Sequence, residues 1–255
     1  MSAATATTRT AEDTRRWMEE GTALWQRALA SRGDAELEGG TALAGWTGRH
    51  LLAHVAANAE ALGHLVTWAA TGVETPMYSS PEQRDADIAA GAARPVAELR
   101  EWDRRAAAEL ADAVDALTPE QLDRPVRTAQ GRTVPAREVT WMRSREVMVH
   151  AVDLGGSVTF ADLPADLLAA LVADVATRRS TGDGPALHLT ATDAAPGAAT
   201  DGSPDAGHGV AVAGTGEPVA VSGPLDDLAR WLTGRGEGDL TTTDGGALPA
   251  LPPWL

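Results

Sequence analysis

The chain contains no cysteine among its 255 residues. That excludes a disulfide framework, a thiolate metal site and a catalytic cysteine, so any thiol chemistry here must use a thiol that arrives from outside. Lysine is absent as well, all 21 basic residues being arginine. This removes Schiff-base catalysis and a phosphate-loop lysine. Positive charge is scarce against 36 acidic residues, and the net charge of −15 argues against general affinity for nucleic acid, whose phosphates need clustered cations. No apolar run approaches the roughly 18 residues of a membrane span. The opening stretch MSAATATTRTAED lacks the apolar segment of a secretory signal. A cytoplasmic protein with no membrane partner is expected. Tyrosine and phenylalanine occur once each beside eight tryptophans, which are read as core and interface fillers.

The apolar fraction of 44% is enough for a real core, and the length suits one large domain or two small ones. Composition changes near residue 182, which divides the chain into 1–182 and 183–255. The first part reads as helices. Trp17, Leu24, Trp25 and Leu29 give an amphipathic helix over 12–30. Thr47 is placed to cap a helix running to about Ala70, with Leu51, Val55, Leu62 and Leu65 at helical spacing. Residues 71–91, with Pro76, Pro81 and Gly91, read as a loop with at most a short helix. A third long helix spans 95–117, and Thr118-Pro119 stops it and starts one more turn. Residues 123–134 form an extended pair around Gln130-Gly131. Pro135 is expected at the first position of a helix ending near Leu154, and 164–180 makes another. Several long helices with modest loops predict an antiparallel bundle. The second part alternates as half-buried strands do at 187–193, 210–214 and 218–223, followed by a short helix at 224–234 and a last strand at 240–244. Residues 194–209 are expected to be a mobile loop. The fold class is α+β.

Chemistry concentrates in R-S-R-E-V-M-V-H-A-V-D-L. Glu146 and His150 are spaced i, i+4 and share a helix face. Glu146 falls inside the stripe made by Val139, Met142 and Val149, and His150 lies about 40° to one side. A carboxylate in an apolar stripe is costly unless it is paired or binds a metal. On the preceding long helix stand His50, His54 and His64. His54 lies nearest the apolar face, about 90° from its mean direction, against about 130° for His50, with His64 nearly opposite and toward water. His54, Glu146 and His150 form a His₂Glu set, a ligand combination of catalytic zinc that keeps a fourth position open. Bundles build such sites from facing helices. A Glu/His pair at this spacing is also common on solvated helices, and spacing does not decide between the two readings. Arg84 and Arg235 are candidate clamps for a carboxylate, or a solvated charge and a helix-end cation. Asn58 and Asp153 are candidates to orient the ligands.

The segments G-W-T-G-R-H-L-L-A-H-V-A-A-N-A-E-A-L, G-V-E-T-P-M-Y-S-S-P-E-Q-R-D-A-D-I and R-S-R-E-V-M-V-H-A-V-D-L-G resemble the mycothiol-dependent maleylpyruvate isomerases of actinobacteria. The likeness extends over nearly the whole chain, including W-L-T-G-R-G. It implies a DinB-like four-helix bundle followed by a small sterol-carrier-like α+β domain. It also implies zinc on His54, Glu146 and His150, a catalytic arginine at Arg235 rather than Arg230, and a part for Arg84. The implied reaction, a step of gentisate breakdown, turns maleylpyruvate into fumarylpyruvate with mycothiol supplying the sulfur nucleophile. A monomer is expected, with its active site between the two domains, a favoured place for ligand pockets. The residues alone leave two alternatives: a mycothiol S-transferase that conjugates electrophiles, and a metal-stabilised binding module.

Overall fold

The computed structural model describes residues 9–193 and 209–254. Two compact units divide at Thr159. The composition break near residue 182 marks where the strands begin. The unit itself starts one helix earlier, so the helix Ala165–Arg179 belongs to the second unit.

The first unit, Thr10–Val158, is built on four long helices. α1 (Ala11–Ala30) opens with a capping box, Thr10 accepting from the Asp13 N–H while Asp13 accepts from Thr10. α2 (Gly48–Thr71) starts at Thr47, whose backbone N–H and hydroxyl both bond the His50 ring, and ends on Gly72 with φ +76°. α3 (Pro81–Ala92) begins with Ser80 capping the Gln83 N–H and proline at the first position, so the stretch expected to be mostly loop is half helix. α4 (Val96–Asp115) and the single turn α5 (Pro119–Leu122) follow. β1 (Pro125–Arg127) pairs antiparallel with β2 (Thr133–Pro135) around the expected turn at Gly131. α6 (Glu138–Asp153) completes the unit.

Pro135 does not open α6, as its position suggested. It pairs with Pro125, and the next two N–H groups, of Ala136 and Arg137, donate back to Arg124 and Leu122, so no helix begins before Glu138. α2 packs on α4 and α6, α1 packs on α6, and α3 lies along α2. The apolar stripes meet in a core of Trp25, Leu51, Leu62, Leu65, Leu99 and Met148. Each fully buried Leu contributes about 2 kcal/mol. α3 approaches α2 closely because Gly91 has no side chain: a Cβ there would sit 2.8 Å from Trp102 and 2.9 Å from Ala53.

Among the described residues the second unit contains α7 (Ala165–Arg179), four strands and α8 (Leu225–Leu232). The strands are β3 (Pro185–Ala191), β4 (Gly209–Val212), β5 (Thr215–Gly223) and β6 (Thr241–Thr242), in sheet order β4-β3-β5-β6. β3 runs parallel to β5 and antiparallel to β4. Leu187 and Leu189 alternate inward opposite Val212 and Val221, and α7 packs on α8 and β4. The loop expected over 194–209 lies, except for Gly209, outside the described residues. The fold is α+β: a four-helix bundle and a small α+β unit. Among the described residues no helix is long and apolar enough to cross a membrane.

Candidate functional site

α2 and α6 face each other at His54, Glu146 and His150, and the three side chains converge. Glu146 Oε1 lies 2.5 Å from His54 Nε2 and 3.3 Å from His150 Nε2. One ligand atom from each residue lies within 4.8 Å of the others, a spacing at which all three can hold one ion. Their side chains remain 7%, 19% and 12% exposed in the order His54, Glu146, His150, so the site opens toward solvent on the carboxylate side. His54 is the buried histidine of its helix, His50 is half-buried and His64 exposed, as the wheel indicated.

A second layer fixes the ligands. His150 Nδ1 donates to Asp153 Oδ2 at 2.8 Å, and Asp153 is fully buried. With the proton held on Nδ1, the Nε2 lone pair points at the site. His54 is packed edge-on between two rings, Trp46 at 5.2 Å and His150 at 5.0 Å between centroids. Arg84 on α3 brings Nη2 to 3.4 Å from His54 Nδ1, while its Nη1 pairs with Asp85 at 2.9 Å. One turn before Glu146, the buried Arg143 crosses to α2. Its Nη1 donates to the Val55 carbonyl at 2.8 Å and to Asn58 Oδ1 at 3.0 Å. Asn58 thus orients an arginine rather than a ligand histidine.

Electrostatics give the three ligands different characters. Burial lifts the Glu146 carboxyl, but His54 and His150 beside it outweigh burial and hold it well below the usual carboxylate range. Burial also works against charge on His150, yet hydrogen bonds to Asp153 and Glu146 raise it to about 9. On His54 burial wins, and with the repulsion of His150 and Arg84 it lowers that imidazole despite Glu146. The site therefore holds a fixed anion and a neutral imidazole, with a second imidazole made strongly basic by carboxylates. Two nitrogens, one oxygen and no thiolate suit zinc or a similar divalent ion, and three protein ligands leave a position open. The buried Asp153 behind His150 is the support such a ligand needs. On donor chemistry and spacing the residues fit a metal.

Arg235 sits in the second unit, in a turn flanked by Gly234 (φ +79°) and Gly236 (φ +112°). Its Nη1 donates to the Thr233 carbonyl at 2.6 Å, and its guanidinium stands 5.6 Å from the Trp254 ring centroid. Arg230 is tied to the same turn through Nε and the Arg235 carbonyl at 3.0 Å. Sequence reasoning missed three residues around this cluster and its arginine, Trp46 against His54, Tyr78 against Arg84 and Arg143 one turn before Glu146. Trp46 and Tyr78 lie outside helices, where no periodicity reveals direction, and Arg143 was one arginine among 21.

Comparison with known proteins agrees with this architecture. Residues 18–155 match the mycothiol maleylpyruvate isomerase N-terminal domain, and residues 162–253 match the C-terminal domain of the same family. Two solved structures, a mycothiol-dependent maleylpyruvate isomerase and a histidine-to-alanine mutant so named, each align with a TM-score of 0.86. Both are 38% identical to this chain and cover 96% of it and 98% of their own length. No curated protein sequence matches. With both family domains present in order and one solved member superposing on nearly the full length, the chain belongs to the mycothiol maleylpyruvate isomerase family.

Proposed function

We propose that this protein is a cytoplasmic, monomeric, zinc- and mycothiol-dependent isomerase that converts maleylpyruvate to fumarylpyruvate, a step of gentisate breakdown. The observation that carries the reading is the convergence of His54, Glu146 and His150 in a chain of this family that has no cysteine. Turning a cis double bond to trans requires the bond to lose its π character while it rotates. Reversible addition of a sulfur nucleophile to the alkene carbon conjugated with the ketone achieves this. The chain has no sulfur nucleophile of its own, so the thiol comes from the solvent side.

A divalent ion in this site, when bound, stabilises the anionic form of a coordinating thiol at neutral pH. The protein's part is to hold the three donors at fixed spacing. Asp153 sets the His150 tautomer, and Trp46 fixes the His54 ring. The substrate is a dianion and the chain is strongly acidic, so local cations must reverse the field. Arg84, beside His54, is assigned to one carboxylate. Arg235 is assigned to the second carboxylate or to the oxygen that gathers charge, on the resemblance of W-L-T-G-R-G.

The test is to follow loss of the cis isomer with and without mycothiol. Rapid loss only with mycothiol, with the thiol recovered unchanged, supports the proposal. Equal rates in both samples, or a stable thioether product, overturn it, the latter in favour of an S-transferase.

A further inference from the structure

Tyr78 is the single tyrosine of the chain, and its ring lies near Arg84, the arginine that reaches His54. It lies in the connection between α2 and α3, which is pinned on both sides. The Met77 carbonyl accepts from His64 Nδ1 at 3.2 Å, and Ser80 caps α3. Between these anchors the Tyr78 ring is half-buried, with the Arg84 guanidinium 6.0 Å from its centroid. The same guanidinium reaches His54. The phenol lies within the fields of Glu146, Arg84 and Arg143, the charged groups of the site. Burial, with the Glu146 charge second, pushes it up to about 12, so it keeps its proton at neutral pH. The other polar groups near the site are engaged. Arg84 is held by Asp85 and His54 and also reaches the Tyr78 phenol, Arg143 of α6 is buried against α2, and the Ser144 hydroxyl donates to the Thr14 and Thr140 carbonyls.

Resting on the isomerase reading above, we propose that Tyr78 is a catalytic residue: its O–H donates a hydrogen bond to the substrate ketone oxygen as that oxygen gathers charge. The electron balance defines where this donor is needed. As the carbon–sulfur bond forms, the alkene π pair shifts through the conjugated chain onto the ketone oxygen. The former double bond rotates as a single bond. The pair then returns to restore the alkene, the carbon–sulfur bond breaks, and the sulfur leaves as the thiolate that attacked, so no net proton transfer, oxidant or reductant is required. Charge on the ketone oxygen exists only between addition and expulsion. A neutral donor placed for that oxygen lowers the barrier without binding the ground state more tightly.

The variant Tyr78→Phe removes the hydroxyl and keeps the ring under Arg84. Loss of one such donor costs about 10²–10³-fold in kcat. The expected result is that loss with KM, zinc per chain and mycothiol affinity unchanged. Because the chain has one tyrosine, growth on a fluorinated tyrosine labels this ring alone. Its single fluorine resonance should shift when zinc is added to chelator-treated protein, and should not shift in His54→Ala. Undiminished kcat in Tyr78→Phe, or a resonance indifferent to zinc, overturns the proposal while leaving the isomerase reading intact. Wild-type protein without thiol-dependent isomerisation overturns both.

Discussion

The buried carboxylate behind His150 offers a quantitative test of the metal reading. Asp153 accepts the His150 Nδ1 proton at 2.8 Å and has no solvent exposure. Against the opposing effect of burial, Asp153 and Glu146 raise His150 from 6.5 to about 9. At about 1.4 kcal/mol per pKa unit, the two carboxylates together outweigh burial by roughly 3 kcal/mol. Asp153 is the first of the raising influences. The same lone pair that holds the proton would hold the ion. Asp153→Asn should therefore weaken intrinsic zinc affinity about 10–100-fold, the usual cost of losing such a support. The proton competes for that site below about pH 9 in the wild type, and much less in the variant. Zinc affinity measured by chelator competition should thus differ most at pH 9, and the gap should narrow toward pH 7. Equal affinities at pH 9, with circular dichroism showing both proteins folded, would mean that Asp153 does not support a metal-binding His150.

Three further outcomes are expected. In chelator-treated protein, His150 has a folded value above its unfolded 6.5, so its contribution is fully present below pH 6.5 and is lost as pH rises through about 9. The melting temperature of the metal-free protein should fall across that window, and Asp153→Asn should flatten the fall. Gly91→Ala would gain about 1 kcal/mol from helix propensity alone, but the new methyl meets Trp102 and Ala53. A net loss of about 1–2 kcal/mol in urea unfolding is expected, and a gain would mean that α3 moves away from α2 at no cost. Arg143→Met strips the donor from the Val55 carbonyl and Asn58, and the nearby cation from Asp103 and Glu146. It should cost about 2–4 kcal/mol by the same measurement.

Most of the bundle is legible in the chain because its helices carry their own signals. Apolar residues recur at helical spacing in α1, α2 and α4, and Thr47 and Thr118 cap where sequence placed them. The convergence of His54, Glu146 and His150 was legible for the same reason: the 3.6-residue period turns spacing into direction. Two elements escaped, one because pairing overrode local chemistry and one because breaker residues served a helix. Pro135 has the signature of a helix start, yet a hairpin claims it and the N–H groups after it. Pro81 and Gly91 look like breakers, but one opens α3 and the other lets it dock. The composition break at 182 located the first strand and not the unit boundary at Thr159, because α7 is as alanine- and leucine-rich as the bundle helices. Tyr78 and Trp46 were invisible as site residues because connections carry no period. Arg143 was invisible because a buried arginine and a solvated one read alike in sequence until their partners are seen.

Zinc content is the decisive measurement for these three side chains. Wild-type protein purified with zinc and freed of loosely held ions should carry one zinc per chain by elemental analysis. His54→Ala, which leaves Glu146 and His150 paired on α6, should carry almost none while melting as a folded protein. Stoichiometric zinc retained by that variant would contradict the assignment of His54, Glu146 and His150 as the ligands.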